Sequence, residues 1–356
     1  MTSLRMAVLA ITAHLCAAAS LHAQTPTSPE RARALLTALA HDSLEGRATG
    51  APGSLRAAAL IARVMAAAGL RPAGNDSYFQ LVPAAMATVT NRSGQRGQRL
   101  MRMPSFAALD SVPAAAVRLV VNVIGILPGR DPALAAEHVL IGAHYDHVGI
   151  GPAVNGDSIY NGADDDASGV VAVLEIARQL AQGPPPARTV VFAAMTGEEM
   201  GLIGTRWYIL NPALPIETMA ANLEIEMIGR PDSLAGGRGR AWLTGYERST
   251  MGESLAANGI PIIADPRPDQ NFFRRSDNIA FATAGIPAHT LSSFNLHRDY
   301  HAPSDQVDKV DFTHMAAVIN AAARAARLLT DGPAPQWKPG GRPCRAGETP
   351  QPGVCS

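Results

Sequence analysis

The stretch VLIGAHYDH, residues 139–147, joins an apolar run to a cluster of ionisable side chains. Two similar junctions follow along the chain: residues 189–195 lead into TGEE, and residues 220–225 lead into EMIG. Short apolar runs bounded by turn signals are typical of buried strands. Because open α/β sheets bind ligands at the carboxyl ends of their strands, the three junctions predict one site at one edge of a sheet.

Further strands and helices alternate on both sides of this stretch. Apolar runs predict strands at 119–127 and 286–291. A segment bounded by Gly183 predicts a helix at 169–180, and an Ala-rich segment predicts a second helix at 312–329. Near-continuous apolar strands separated by helices are typical of a sheet that is covered on both faces. We therefore predict an α/β protein with a three-layer α/β/α fold and a central mixed, mostly parallel sheet.

The composition divides the chain into three parts. Residues 1–23 carry one basic residue, Arg5, before a short apolar run and small residues, which is typical of a secretory signal peptide. Residues 24–330 hold the predicted strands and helices, interrupted at 92–111 by a polar segment for which we predict an irregular excursion. Residues 331–356 are rich in Pro and Gly and predict an irregular tail.

Removal of residues 1–23 leaves two cysteines, Cys344 and Cys355, both in the tail. In an exported chain such a pair suggests a disulfide, and we expect a secreted or periplasmic protein. The N-terminal apolar run is shorter than the roughly 20 residues that a spanning helix needs. No stable membrane span is expected once the signal peptide is removed.

The composition also excludes some classes of partner and chemistry. The chain of 356 residues has 30 basic and 30 acidic residues, so its formal net charge is zero. A zero net charge without basic clusters argues against nucleic acid as a partner. The sequence has no Gly-X-Ser-X-Gly motif, which disfavours a serine hydrolase of the α/β-hydrolase type.

Two further segments carry metal-binding residue types. NGADDDASG, residues 161–169, places three Asp side by side, and HRDYHAPSD, residues 297–305, adds two histidines. Adjacent carboxylates repel one another unless they are solvated or hold a cation. His, Asp and Glu from separate strand ends suit zinc. From the residues alone, a solvated acidic turn remains an alternative for 161–169.

Five motifs together resemble those of the secreted zinc aminopeptidases, which are leucine-aminopeptidase-like metallopeptidases with a co-catalytic zinc pair. The resemblance spans roughly residues 44–328 and implies a single catalytic domain. The motifs occur in the family order: GAHYDHVG (142–149), NGADDDASG (161–169), TGEE (196–199), NLEIEMIG (222–229) and YHAPSD (300–305).

The resemblance implies the residues of the site. Two zinc ions per chain would be held by five ligands, namely His144, Asp165, Glu199, Glu226 and His301. Asp165 would bind both ions as a bridge. His144 and Glu226 would complete the ligands of one ion, and Glu199 and His301 would complete those of the other. It further implies catalytic roles for three residues: Glu198 as general base, Asp146 as the carboxylate that orients His144, and Tyr300 as a hydroxyl donor to the reaction intermediate.

The implied function is hydrolysis of N-terminal residues from peptides with a free N-terminus, by a water that two metals activate. The alternative on the same fold is a glutaminyl cyclase-like acyltransferase with a single zinc. A non-catalytic binding module is a third possibility, and the complete ligand set argues against it. The number of bound metal ions would discriminate between the first two.

Two positions depart from the family pattern. Glu226 stands where Asp is usual, and Glu224, two residues earlier on the same strand face, is its rival as ligand. Asn278 stands where His is common, which weakens a substrate-binding role for its loop. We assign no role to His147 and His297 and expect His289 to be a core residue. Core packing is favoured for Trp207, Tyr208 and Trp242, with the lining of a pocket for an apolar side chain as the alternative. Asp305 is expected to support the His301 loop by hydrogen bonding.

Overall fold

The computed structural model describes residues 25–90, 94–345 and 347–356, so the predicted signal peptide lies outside the described residues. The helices are α1 (Pro29–Leu39), α2 (Pro52–Ala67), α3 (Gly169–Gln182), α4 (Ile203–Leu210), α5 (Met251–Ala257), α6 (Asn278–Ala284) and α7 (Phe312–Asp331). The strands are β1 (Arg71–Pro72), β2 (Phe79–Thr90), β3 (Arg96–Arg102), β4 (Val117–Leu127), β5 (His138–His144), β6 (Gly149–Val154), β7 (Asp157–Tyr160), β8 (Thr189–Met195), β9 (Met219–Glu226), β10 (Ala241–Leu243), β11 (Ile262–Ala264) and β12 (Ala288–Ser292).

The strands form one large mixed sheet and one hairpin. The sheet order is β11-β10-β12-β9-β5-β8-β4-β2-β3, with β1 paired to β4, while β6 and β7 form the hairpin. The central neighbours β12, β9, β5 and β8 run parallel. The strands β4, β2 and β3 on one flank are antiparallel. The mixed sheet is confirmed, and its parallel centre carries the three predicted junctions.

Helices cover both faces of the sheet, which confirms the three-layer prediction. Side chains alternate across β5: Val139 and Ile141 belong to the core cluster that includes residues of α2, α3 and α7, and Leu140 belongs to the cluster that includes residues of α4 and α6. Helix α3 is buried along nearly its whole length, from Gly169 to Leu180. Its position against the parallel strands explains why its sequence is mostly apolar, with Glu175, Arg178 and Gln179 as its buried polar residues.

Capping residues fix where the outer helices begin. Ser28 precedes α1, and its hydroxyl accepts a hydrogen bond from the backbone N–H of Arg31, while Pro29 takes the first helical position. Asp311 precedes α7 and accepts from the backbone N–H of His314. These contacts satisfy N–H groups that a helix start leaves unpaired.

The prediction of an irregular excursion over residues 92–111 is wrong for residues 96–102. These residues form β3, which pairs antiparallel with β2 at the edge of the sheet. Leu100 is the one buried residue of β3, and the other side chains face solvent at least in part. An edge strand that is exposed on both faces lacks the apolar alternation by which strands are predicted.

The tail after α7 is irregular and packs against the domain. A disulfide joins Cys344 and Cys355. The indole N–H of Trp337 donates to the carbonyl of Gly285 at 2.8 Å. Within the described residues, no helix combines the length and apolar character needed to cross a bilayer.

Candidate metal centre and active site

Three parallel strands place ionisable side chains at one edge of the sheet. His144 is the last residue of β5 and Glu226 the last residue of β9, while Glu198 and Glu199 follow the end of β8. Because β9, β5 and β8 are parallel neighbours, their carboxyl ends lie side by side. The structure therefore brings together the residues of the three junctions.

Asp165 lies between two histidines from distant parts of the chain. Its Oδ1 is 3.3 Å from Nε2 of His144, and its Oδ2 is 3.1 Å from Nε2 of His301. Asp165 is buried, with 2% of its surface exposed. A carboxylate whose two oxygens face two separate nitrogen donors has the geometry that a bridge between two cations requires.

Two groups of donor atoms share Asp165. In the first group, Nε2 of His144 is 3.9 Å from Oε1 of Glu226. In the second group, Nε2 of His301 is 2.9 Å from Oε1 of Glu199. In each group, one donor atom per residue lies within 4.8 Å of the others. All five ligands that the resemblance implied fall within these groups.

His147 also belongs to the second group, although the sequence analysis assigned it no role. Its Nδ1 is 3.1 Å from Oε1 of Glu199 and 3.7 Å from Oδ2 of Asp165. Its side chain is fully buried, and its ring meets that of His301 edge to face. The sequence signal was its position three residues after His144, at the same strand end.

Several donor atoms of these groups have no hydrogen bond among the described residues. Nε2 of His144, Oδ2 of Asp165 and Nε2 of His301 are buried and lack a partner of acceptable geometry. Such atoms are costly unless they bind something. Imidazole nitrogens and carboxylate oxygens are donors that zinc prefers, so these residues fit zinc.

Burial and mutual charge shift the pKa values of the group members. Burial raises the pKa of Glu226 to about 7, with the Asp165 carboxylate adding to the effect. Burial disfavours the charged form of His301, but Asp165 and Glu199 raise its pKa to about 10. Burial likewise opposes ionisation of Glu199, yet His147 and His301 hold its pKa at about 2. Without a cation, protonated histidines must offset the carboxylates, a role that metal ions can take.

Asp146 contacts both His144 and the Glu198 loop. Its carbonyl oxygen lies 3.2 Å from Nδ1 of His144, whereas its carboxylate Oδ1 is 3.7 Å away. The same Oδ1 accepts from the backbone N–H of Glu198, and Oδ2 accepts from the hydroxyl of Thr49. Asp146 is therefore placed to fix the ring of His144 through its backbone and to hold the Glu198 segment through its carboxylate.

Glu198 lines the cleft beside the two groups without belonging to either. Burial raises its pKa well above the ordinary value, with Glu226 and Asp277 adding to the effect. A raised pKa favours proton acceptance and release near neutral pH. Its neighbour Glu199 belongs to the second group, so the two adjacent glutamates differ in position.

The cleft above the metal groups has aromatic walls. It measures about 460 Å³ with its open mouth included, and Trp242, Phe272, Phe294 and Tyr300 line it. Trp242 stacks on Phe272, with ring centroids 5.2 Å apart. Tyr300 stacks on the ring of His301 at 3.9 Å, which places it at the border between cleft and metal groups. The cleft can accept an apolar side chain next to the donor atoms.

Of the three aromatic residues Trp207, Tyr208 and Trp242, one lies in the cleft and two lie away from it. Trp242, for which core packing was favoured and pocket lining was the alternative, is 2% exposed and lines the cleft. Trp207 packs against Phe106, and Tyr208 packs against Phe281, both away from the cleft.

The loop that precedes Asn278, the first residue of α6, also reaches the cleft. Arg275 lines it and lies 5.0 Å from the Phe272 ring, a contribution that the sequence analysis had discounted. Asn278 itself is buried, and its side chain donates to the carbonyl of Phe273 and accepts from the hydroxyl of Thr290. Asn278 therefore fixes the loop from below.

Asp305 supports the Asp165 loop. Its Oδ2 accepts from the backbone N–H groups of Asp164 and Asp165, and its Oδ1 accepts from Arg230. The backbone N–H of Asp305 also donates to the carbonyl of Ala302 beside His301, as expected, so Asp305 supports the His301 loop as well as the segment of Asp165. His297 joins the same network, with Nε2 3.0 Å from Oδ2 of Asp164.

Arg47 connects two of the site's segments from below. Its buried guanidinium donates to the carbonyls of Tyr145, Asn161 and Gly162, and also to that of Leu39. Tyr145 follows His144, and residues 161–162 precede Asp165. The sequence gives no pattern for this role, because the four carbonyls come from three separate parts of the chain.

Glu224 and His289 lie outside both groups. Glu224 is buried below the site and accepts a hydrogen bond from Asn222 at 2.7 Å, so the structure brings Glu226 rather than Glu224 to His144. His289 lies in the core between the hydroxyl of Ser249 and the carbonyl of Thr244.

The fold and the donor groups define the class: a three-layer α/β/α protein with a histidine–carboxylate metal centre at the carboxyl ends of its parallel strands. The sequence model of Peptidase family M28 matches residues 122–326, more than half of the chain. The chain belongs to this family, and the family resemblance of its motifs is confirmed.

Individual relatives agree with this membership. Over 238 residues, the chain is 30% identical to the probable leucine aminopeptidase 2 of Aspergillus oryzae, a match that covers 60% of this chain and 45% of the relative. The chain thus spans less than half the length of that curated relative.

Solved structures share the fold at low sequence identity. The zinc aminopeptidase of Bacillus subtilis matches with a TM-score of 0.60 and 15% identity, over 86% of this chain and 96% of that one. The glutaminyl cyclase of Porphyromonas gingivalis matches with a TM-score of 0.56 and 16% identity, over 84% of this chain and 97% of that one. At these identities the matches establish the fold.

Proposed function

We propose that this protein is a zinc aminopeptidase that removes N-terminal residues from peptides, with two zinc ions held by the His144–Asp165–Glu226 and Asp165–Glu199–His301 groups. The carrying observation is Asp165, whose two carboxylate oxygens face histidines of different groups. Membership of a peptidase family supports the reaction class.

Bound zinc would lower the pKa of a water molecule and polarise the scissile carbonyl. In the proposed mechanism, the carboxylate of Glu198 accepts a proton from that water and returns it to the leaving amine. This role fits its raised pKa and its place in the cleft outside the donor groups. General base catalysis of this kind contributes about 100- to 10,000-fold in rate.

The cleft supports a substrate with an apolar side chain and a free amino group. Trp242, Phe272 and Phe294 would receive the side chain of the N-terminal residue. The carboxylates of Glu198 and Glu226, which line the cleft, would attract the protonated amine of the substrate. Tyr300, stacked on His301, would donate its hydroxyl to the carbonyl oxygen as negative charge develops there.

The test combines elemental analysis with a substrate panel on the purified full chain. We expect two zinc ions per chain, turnover of aminoacyl amides with a free amine, and none of their N-blocked counterparts. Glu198→Gln should retain both ions and lose turnover. Equal cleavage of N-blocked substrates, or full activity of Glu198→Gln, would overturn the proposal.

A glutaminyl cyclase-like reaction with one zinc is the competing function on the same fold. The Porphyromonas gingivalis structure illustrates the fold relationship. Two donor groups that share Asp165 favour hydrolysis with two ions. One zinc per chain together with cyclisation of N-terminal glutamine peptides would support the cyclase instead.

We also propose that the protein is exported. The Cys344–Cys355 disulfide supports this location, because disulfides persist in oxidising compartments. N-terminal sequencing of the protein after expression of the full chain in a bacterial host should find a start after residue 19 or 23. Cytoplasmic protein that retains Met1 would contradict export.

A further inference from the structure

We infer that His147 is a further metal ligand in this chain, so that the group around His301 offers four protein donors and the group around His144 offers three. This inference rests on the proposed zinc site and deepens it. It assigns a role to a residue for which the family resemblance provided none.

The distances among the donor atoms carry the inference. Nδ1 of His147 is 3.1 Å from Oε1 of Glu199 and 3.7 Å from Oδ2 of Asp165. Nε2 of His301 lies 2.9 Å and 3.1 Å from the same two oxygens. Zinc–ligand bonds of about 2.0–2.2 Å in tetrahedral geometry separate neighbouring donors by roughly 3.3–3.6 Å. Three of the four nitrogen–oxygen distances are slightly shorter than this separation, and the distance from His147 to Asp165 is slightly longer.

The surroundings hold the His147 ring in this place. Its side chain is fully buried, and its ring meets the ring of His301 at 75°, with centroids 5.4 Å apart. A Cβ atom at Gly162 would approach the ring of His147 to 2.6 Å. Gly162 also has a φ of +52°, a conformation that side chains disfavour. The segment before Asp165 thus leaves room for the imidazole.

A hydrogen bond from Nδ1–H of His147 to Glu199 is the simpler role that must be distinguished. Asparagine can replace that donor, because its side-chain nitrogen occupies nearly the position of Nδ1, but it is a poor zinc ligand. His147→Asn therefore retains the hydrogen bond and removes the imidazole nitrogen. His147→Ala removes both.

Unequal donor sets predict unequal affinities. Four protein donors complete a tetrahedral shell, which is typical of closed zinc sites, whereas three donors leave a position open for water or substrate. The open position then lies on the His144–Glu226 side, beside Glu198. Zinc at the His301 group should be retained when a chelator has already removed zinc from the His144 group.

The experiment measures zinc affinity by competition with a chromogenic chelator, on the full chain and its variants. For the original chain we expect two zinc ions with dissociation constants at least tenfold apart. Both His147→Asn and His147→Ala should weaken the tighter site by more than about 100-fold, which exceeds the 10- to 100-fold effect of losing an outer hydrogen-bond partner. The exposed His41, changed to Asn, is the matched control and should leave both constants unchanged.

A second measurement uses only the original chain, so its result does not depend on whether a variant folds. X-ray absorption at the zinc edge counts imidazole ligands: three histidines over two ions give 1.5 per zinc, and two histidines give 1.0. A count of 1.0, or a His147→Asn variant with unchanged affinities, would overturn the inference. An original chain that binds no zinc would instead overturn the proposed function.

Discussion

Replacement of Arg47 by Met tests whether one buried guanidinium holds the metal-binding segments together. Arg47 is 1% exposed and donates four hydrogen bonds to backbone carbonyls, at distances of 2.5–2.9 Å. Met has a similar length and is apolar, so it fills the space and leaves all four carbonyls without this donor.

The expected loss follows from these contacts. Hydrogen bonds from a charged donor contribute about 1.5–3 kcal/mol each, so four give roughly 6–12 kcal/mol. Burial of the guanidinium costs several kcal/mol, which the apolar variant recovers. We expect the free energy of unfolding to fall by about 4 kcal/mol, a large part of a typical total of about 5–15 kcal/mol. At about 2.1 cal/mol/K of unfolding entropy per residue, the corresponding decrease in Tm is roughly 5–6 °C.

Urea denaturation followed by circular dichroism measures the effect, with and without added zinc. Arg63→Met, on the exposed side of α2, is the matched control and should change stability by less than about 0.5 kcal/mol. Arg47→Lys keeps the charge but loses the planar fork, so it should restore only part of the stability. A loss below about 1 kcal/mol in Arg47→Met would refute the role of this residue.

Three further predictions concern charge and metal. Glu175→Ala should cost about 3–5 kcal/mol in urea denaturation, because it leaves the partly buried Arg178 without its carboxylate, and a loss below 1 kcal/mol would contradict that. Burial lowers the pKa of His289 to about 4. Between about pH 6.5 and pH 4, His289 therefore binds a proton in the unfolded chain but not in the folded chain, so the free energy of unfolding decreases as the pH falls. His289→Gln should reduce the slope of unfolding free energy against pH by up to about 1.4 kcal/mol per pH unit. An unchanged slope would contradict the lowered pKa of His289. Asp165→Ala should lose both zinc ions in elemental analysis, whereas two retained ions would refute the bridge.

The sequence predicted those parts of the fold that have an apolar period. The central strands β5, β8 and β9 and the helix α3 are mostly apolar segments, and each lies within two residues of its predicted bounds at both ends. The exposed strand β3 was missed because solvent-facing residues carry no such period. Edge strands are defined by their partner's hydrogen bonds, which a single sequence does not display.

The residues of the candidate site likewise divide into those that the sequence could predict and those that it could not. Three ligands could be predicted because each lies at or just after the end of a strand with a clear apolar pattern, namely His144, Glu199 and Glu226. The family motifs then indicated their roles. His147 stands in the same motif and was passed over, because its distance from Glu199 depends on how two strand ends turn. The contacts of Asp305 with the Asp165 segment join residues about 140 positions apart and have no local signature.

Zinc-edge anomalous diffraction from crystals of the full chain tests the central proposal most directly. The proposal predicts two anomalous peaks about 3.5–4 Å apart, one beside His144 and Glu226, the other beside Glu199 and His301, with Asp165 between them. A single peak, or zinc at any other place in the molecule, would contradict it.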